Sequence, residues 1–352
     1  MELELELKKF SDINLSDPFF DSLKRSYEEF TDWFRRKANE KAYVFFRGNG
    51  ALDGFLYLKI ENGAVDDVSP PLPAAKRLKV GTMKINAHGT KMGERFIKKI
   101  IDHAISADVD EVYVTVFKEH EGLIQLLKKY GFMQQGTKTT CNGVELVLVK
   151  SVVSNYVSQF QSYPLVSLRG VRCYVVAIDP KWHTRLLPDS MLSNESPDIV
   201  EDISSANSIH KIYMAGMRGM ESLRAGDVIV IYRKGDGQGP AHYRSVATSI
   251  GVVEEYRHIS KFSCKEEFFR YCGPHSVFTP SELERLWVKG NYPHIFKFSY
   301  NLAFKKKVTR QVLIEELGFP DGSQYWGFFE IPSSHVKAVA RRGMVHEGLI
   351  VD

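Results

Sequence analysis

Leucine and acidic residues alternate from Glu2 to Phe10, a period of two that predicts a strand with Leu3, Leu5 and Leu7 on one face. From Asp17 to Asn39 the apolar positions Phe19, Phe20, Leu23, Tyr27, Phe30 and Phe34 recur every three or four residues, which predicts a helix packed on the same sheet. Tyr43–Phe46 and Phe55–Ile60 flank Gly48-Asn49-Gly50 and read as a hairpin. Pro70, Pro71 and Pro73 make Val65–Ala75 a loop, because proline neither continues a helix nor donates to a sheet. Leu78–Ile85 is a strand that runs into Asn86–Gly93. A helix follows, with Met92, Phe96, Ile97, Ile100, Ile101, Ala104 and Ile105 on one face. Val112–Phe117 predicts a strand, Glu121–Tyr130 a short helix stopped by Gly131-Phe132, and Val144–Lys150 a strand.

The pattern fades into Ser, Gln and Tyr from Ser151 to about Leu168 and then restarts. Cys173–Ile178, Asp227–Arg233, Ser249–Glu254, Ile295–Ser299 and Tyr325–Ile331 predict strands. Thr279-Pro280-Ser281-Glu282 is a capping box that opens a helix through Val288, and Val308–Leu317, ended by Gly318, predicts another. Two domains are therefore expected, residues 1–150 and 168–352 with a linker at 151–167, and 352 residues are ample for two cores. The fold class is α/β in the broad α+β sense: a mixed sheet flanked by helices, then a small mixed β-barrel with short helices.

Composition narrows the function classes only a little. A net charge of +4 permits a local nucleic-acid patch without requiring one. No apolar run suits a membrane span and the first residues lack a signal peptide's basic and apolar segments, so a cytoplasmic location and no membrane partner are expected. The four cysteines form no paired framework. Cys264, Cys272, His275 and His258 match no standard zinc spacing, and no metal is expected.

A strand that ends in a glycine-containing turn and feeds a helix presents unpaired amides at the positive end of the helix dipole, an anion site. Here the turn is His88-Gly89-Thr90-Lys91-Met92-Gly93, with Lys98 or Lys99 on the helix to offset charge. With the order of elements around it, this turn makes residues 1–150 resemble the GNAT acyltransferases. The family's Q/R-x-x-G-x-G/A falls on His88–Gly93, with His88 for the Gln or Arg and Lys91 for the central glycine. The resemblance implies acetyl-CoA in a gap between the strand before the turn and Val112–Phe117, cradled by His88, Gly89, Thr90, Lys91, Met92 and Gly93, with an amine entering from the opposite side. It also implies a tyrosine four residues before Gly131, where Leu127 stands, and a carboxylate on the central strand, which Leu78–Ile85 lacks. The remaining candidates for proton transfer are His120, whose imidazole can act as acid or base, Glu119, and Asp66 or Asp67.

Gly226–Arg233, the strand around Ala247–Val253 and Tyr325–Phe329 resemble a PUA-like domain of the ASCH or EVE type over about residues 168–345. That group implies RNA or modified-base binding, with bases stacked on aromatic rings and cations on phosphate. Tyr213, Tyr232, Tyr243 and Trp326 are the stacking candidates, each of which also suits a barrel core. Lys211, Arg218, Arg233, Lys234 and Arg244 are the phosphate candidates. Two readings result: an acetyl-CoA-dependent N-acyltransferase whose second domain presents RNA, tRNA or a tRNA-linked amine, or an RNA-binding protein whose first domain has lost its chemistry.

Overall fold

A computed structural model describes residues 3–47, 50–86, 92–109, 111–154, 156, 158–192, 208–321 and 323–352, with side chains from residue 6. It divides into two compact units, Met1–Tyr163 and Pro164–Asp352.

In the first unit, the alternating N-terminal segment is β1 (Leu3–Lys9). It is the sheet's edge strand, and Leu7 is correspondingly half exposed. The single helix expected over 17–39 is broken: a 3-10 turn leads into α1 (Asp21–Ser26), and α2 (Phe30–Arg36) starts only after Tyr27–Glu29. Tyr27 itself is extended and closes α1 by a backbone bond to Leu23. The apolar spacing survives the break, because Phe19, Phe20, Phe30 and Phe34 all enter one core with Phe10, Phe55 and Tyr57. Helical periodicity records which residues are buried, and a bend costs it nothing when the chain turns around the same core.

The hairpin forms as β2 (Lys41–Arg47) and β3 (Leu52–Val65). The loop expected at 65–75 is shorter, because β4 (Leu72–Ile85) already begins at Leu72 and takes Pro73 next to its start, where a missing donor costs least. Then come α3 (Met92–Ser106), β5 (Glu111–Phe117), α4 (Glu121–Lys129), β6 (Met133–Thr140), β7 (Gly143–Ser151) and a single turn, α5 (Gln159–Ser162). The sequence pattern predicts no strand at β6, because Met133, Gln134 and Gln135 are exposed and show no apolar alternation to mark it. The sheet runs β1-β2-β3-β4-β5-β7-β6, antiparallel except for the parallel β4–β5 pair. Phe45 and Phe96 meet on the α3 face, while Phe55 and Tyr57 meet the α1–α2 aromatics on the other.

The second unit holds β8 (Val166–Ser167), β9 (Cys173–Ile178), α6 (Pro180–Leu186), β10 (His210–Ala215), β11 (Val228–Arg233), α7 (Ala241–Arg244) and β12 (Val246–His258). After these come α8 (Lys265–Cys272), α9 (Pro280–Lys289), β13 (His294–Thr309), α10 (Arg310–Glu315), β14 (Phe328–Ile331), α11 (Ser333–Arg342) and β15 (Ile350–Val351). The predicted capping box is present at Thr279 and Glu282. Six strands form a mixed sheet in the order β10-β13-β12-β11-β9-β14. The pairing of the described strands closes no barrel. β10 and β14 end the sheet on opposite sides, and at the outer edge of β10 the Ile212 amide donates to the His275 carbonyl in the loop after α8 rather than to a strand. Among the described residues of both units, no helix is long and apolar enough to cross a membrane.

Candidate active site

The parallel strands β4 and β5 pair only from Arg77–Glu111 to Val80–Val114 and then part. Each continues along its other neighbour: β4 stays on β3 as far as Ile85, and β5 stays on β7 as far as Phe117. The parting coincides with a bulge, where Val80 faces Leu58 and Thr82 faces Tyr57, so that Gly81 has no register partner. Glycine is required there by space: a Cβ at Gly81 would lie 2.6 Å from the Tyr57 ring. An extra residue bends a strand and raises its twist, which turns β4 away from β5.

A cleft of about 310 Å³ opens at this point, lined on the sheet by Val80–Met83 of β4 and Val114–Val116 of β5. Its roof is the broken helix: Tyr27, Glu29, Phe30 and Trp33 face into it. The break at Tyr27–Glu29 is clasped to the β6–β7 turn, where the Asn142 amide donates to both Glu29 carboxylate oxygens at 3.1 and 2.9 Å and its carbonyl accepts the Glu28 amide. Tyr27 donates to Glu145 Oε1 at 2.8 Å. Glu145 opens β7 opposite Phe117 and is only 4% exposed, a carboxylate inside the mouth of the parted strands. Burial, then the Glu145 charge, pushes the Tyr27 hydroxyl far up, so it keeps its proton.

Two more tyrosine–carboxylate pairs border the cleft: Tyr57 donates to Glu40 and Tyr113 to Glu61. Glu61 also meets Lys59 at 3.1 Å and Lys79 at 3.7 Å. Burial opposes its charge, but the Tyr113 bond and the lysines outweigh it and hold the carboxyl below its ordinary range. Lys79 moves down because burial penalises its ammonium.

Of the proton-transfer candidates, His120 lines the cleft at the N-cap of α4, exposed, 6.5 Å from the Phe117 ring. Glu119, Asp66 and Asp67 are exposed and do not line it; Asp67 is held by Lys138 at 2.5 Å. Leu127 and Tyr130 are fully buried, and Tyr130 packs on Tyr163. Of the expected anion turn, His88, Gly89, Thr90 and Lys91 lie outside the described residues. Met92 is core and Gly93 approaches α4, where its Cβ would lie 2.6 Å from Leu126 Cδ2. Lys98 is buried and paired with Asp102 at 2.6 Å, which leaves Lys99 as the nearer of the two to a free counter-charge.

In the second unit Lys211, Tyr213, Tyr232, Arg233 and Trp326 are buried, and Tyr232 and Trp326 pack together at 5.1 Å. Arg218, Lys234 and Tyr243 are exposed, while Arg244 is paired with Asp236. The nine candidates therefore do not share one surface.

The geometry defines an α/β unit with a parted parallel pair and a carboxylate-bearing cleft beside the opening. No protein family matches the chain, and no curated protein does. Among solved structures it is similar to a phosphinothricin N-acetyltransferase described as putative, at 18% identity and a TM-score of 0.33, over 42% of this chain and 98% of that one. It is also similar to spermidine N-acetyltransferase from Vibrio cholerae in complex with CoA and spermine, at 13% identity and a TM-score of 0.31, over 43% of this chain and 95% of that one. A third likeness is Ard1 from Thermoplasma volcanium, at 14% identity and a TM-score of 0.33, over 44% of this chain and 100% of that one.

Proposed function

We propose that the first unit transfers an acyl group, acetyl in the simplest case, from a coenzyme A thioester to a primary amine. The observation that carries this is the parting of β4 and β5 after Val80 and Val114, with the next residues of both strands lining one cleft. Strands that part without another strand between them leave main-chain N–H and C=O groups for a ligand with amides of its own, as the pantetheine arm has. Such an arm suits the gap, and the glycine-containing sequence Gly89–Gly93 that leads into α3 is the segment we propose for its diphosphate. When bound, the thioester supplies a carbonyl that accepts the amine and releases a thiol.

The chain's own residues do the rest. The cleft admits the amine from the α1–α2 side, and Glu145 draws it in as an ammonium. The ammonium gives up one proton to water as the free amine forms; on attack His120 takes a second proton from nitrogen and hands it to the departing sulfur, a double role open to an imidazole. Tyr27 is a poor proton donor because its proton is held by Glu145, and Leu127 and Tyr130 are sealed in the core. Its part is to fix the Glu145 carboxylate. We read the second unit as the part that presents RNA, tRNA or a tRNA-linked amine, through its exposed Arg218, Lys234 and Tyr243.

Calorimetry of the full chain with acetyl-CoA, together with a thiol-release assay over a panel of primary amines, tests the transferase reading. Binding that Gly93→Trp abolishes, while the circular dichroism spectrum is kept, is the expected result. No binding at millimolar acetyl-CoA refutes it and returns the chain to a binding function.

A further inference from the structure

The charges in the cleft are not evenly balanced along it. At one end Glu145 is buried, its one described polar contact is the Tyr27 hydroxyl, and among the described residues no cation lies within ion-pairing distance of it. Its register neighbour Lys138 on β6 is held instead by Asp67. At the other end Lys59 and Lys79 share the single carboxylate of Glu61, which leaves one positive charge over. Phe30, Trp33 and Tyr57 line the wall of the same cleft.

The two ends belong to one face of the sheet. Lys79 sits opposite Tyr113, Phe117 lies four residues further along β5 on the same face, and Glu145 sits opposite Phe117. Two strand spacings across and four residues along separate the Lys79 and Glu145 Cα positions by roughly 16 Å, and the side chains can shorten the gap between charges to on the order of 10 Å.

Resting on the acyl-transfer reading, we infer that the acceptor is a zwitterion: a primary ammonium held at Glu145, an apolar or aromatic body along Phe30, Trp33 and Tyr57, and a remote carboxylate or phosphate met by Lys59 and Lys79. A free α-amino acid is too short to reach both ends. An amino-terminal peptide or an amino acid joined to a phosphate-bearing group is long enough.

The test is binding, so that it does not depend on turnover. Calorimetry on the full chain compares 8-aminooctanoate, 8-aminooctyl phosphate, 8-amino-1-octanol and octanoate. A zwitterion is expected to bind about tenfold tighter than either half-charged probe, since each end adds one complementary contact. Lys79→Met should remove the advantage over the amino alcohol, and Glu145→Gln the advantage over octanoate. The ratio of the two zwitterions tells carboxylate from phosphate. Equal binding of aminooctanoate and amino alcohol by the unmutated chain, or no binding of any probe, overturns the inference. Acetylation of the amino alcohol as fast as the zwitterions would refute the zwitterion and keep the transferase. Zwitterion-selective binding without acetylation would do the reverse.

Discussion

Lys150 is fully buried at the end of β7, its ammonium donating to the Gln161 carbonyl at 2.8 Å and standing 5.0 Å from the Tyr156 ring. Burial pushes its pKa from an ordinary 10.5 down to about 7. The unfolded chain therefore takes up a proton that the folded chain refuses between these two values, and stability must rise as pH rises through that window. Integrating the difference from pH 7 to pH 9 gives about 2 kcal/mol of added stability from this one group. In Lys150→Met the chain packs a similar length and loses the bond to Gln161, a cost of about 1 kcal/mol that does not vary with pH. Urea unfolding of both proteins at pH 7, 8 and 9 should thus show a stability difference that shifts by about 2 kcal/mol in favour of the wild type as pH rises, on top of that constant offset. Other titrating groups cancel in the comparison. A difference that stays flat from pH 7 to pH 9 refutes the reasoning, because a lysine that stays charged on folding contributes no slope.

His183 in α6 is completely buried and hydrogen-bonded through Nε2 to Thr248 at 2.8 Å. Burial, with the Arg233 and Lys307 charges, pushes its imidazole down to about 3. Its folded pKa lies below the unfolded value of 6.5, so the second unit should lose stability as pH falls from 6.5 toward 3, and His183→Gln should flatten that loss in acid unfolding followed by fluorescence. Gly81→Val places a side chain against the rigid Tyr57 ring. It should cost about 1–3 kcal/mol in unfolding and cut amine acetylation at saturating acetyl-CoA, and wild-type turnover in that variant would show that the bulge does not shape the site.

The burial faces were largely legible in the sequence; the path of the backbone was less so. Phe19, Phe20, Phe30 and Phe34 were placed in one core by spacing alone, and they are there. That the helix carrying them breaks at Tyr27 was not legible, because no proline or glycine marks it. The break is set by distant partners, Asn142 and Glu145, which lie more than a hundred residues along the chain. β6 was missed for the opposite reason: an edge strand with an exposed, polar start offers no apolar alternation. In the second unit the short, fully buried strand β10 carries His210 and Lys211, whose polarity hides its burial from any hydrophobicity count.

The same logic explains why the cleft residues escaped notice. Lys59, Glu61, Lys79 and Glu145 read as solvent-facing positions of strands, since charged residues are almost never buried without partners. Here the broken helix and the β6–β7 turn cover that face, so charges that alternate outward end up lining a cleft. Tyr57, Tyr113 and Tyr27 each give a hydroxyl to one of the carboxylates, which stabilises its charge without neutralising it. A lysine in the same place would have cancelled the field. A tyrosine brings no charge of its own, and that is why a neutral donor beside a buried acid marks the end of the cleft where an amine should arrive.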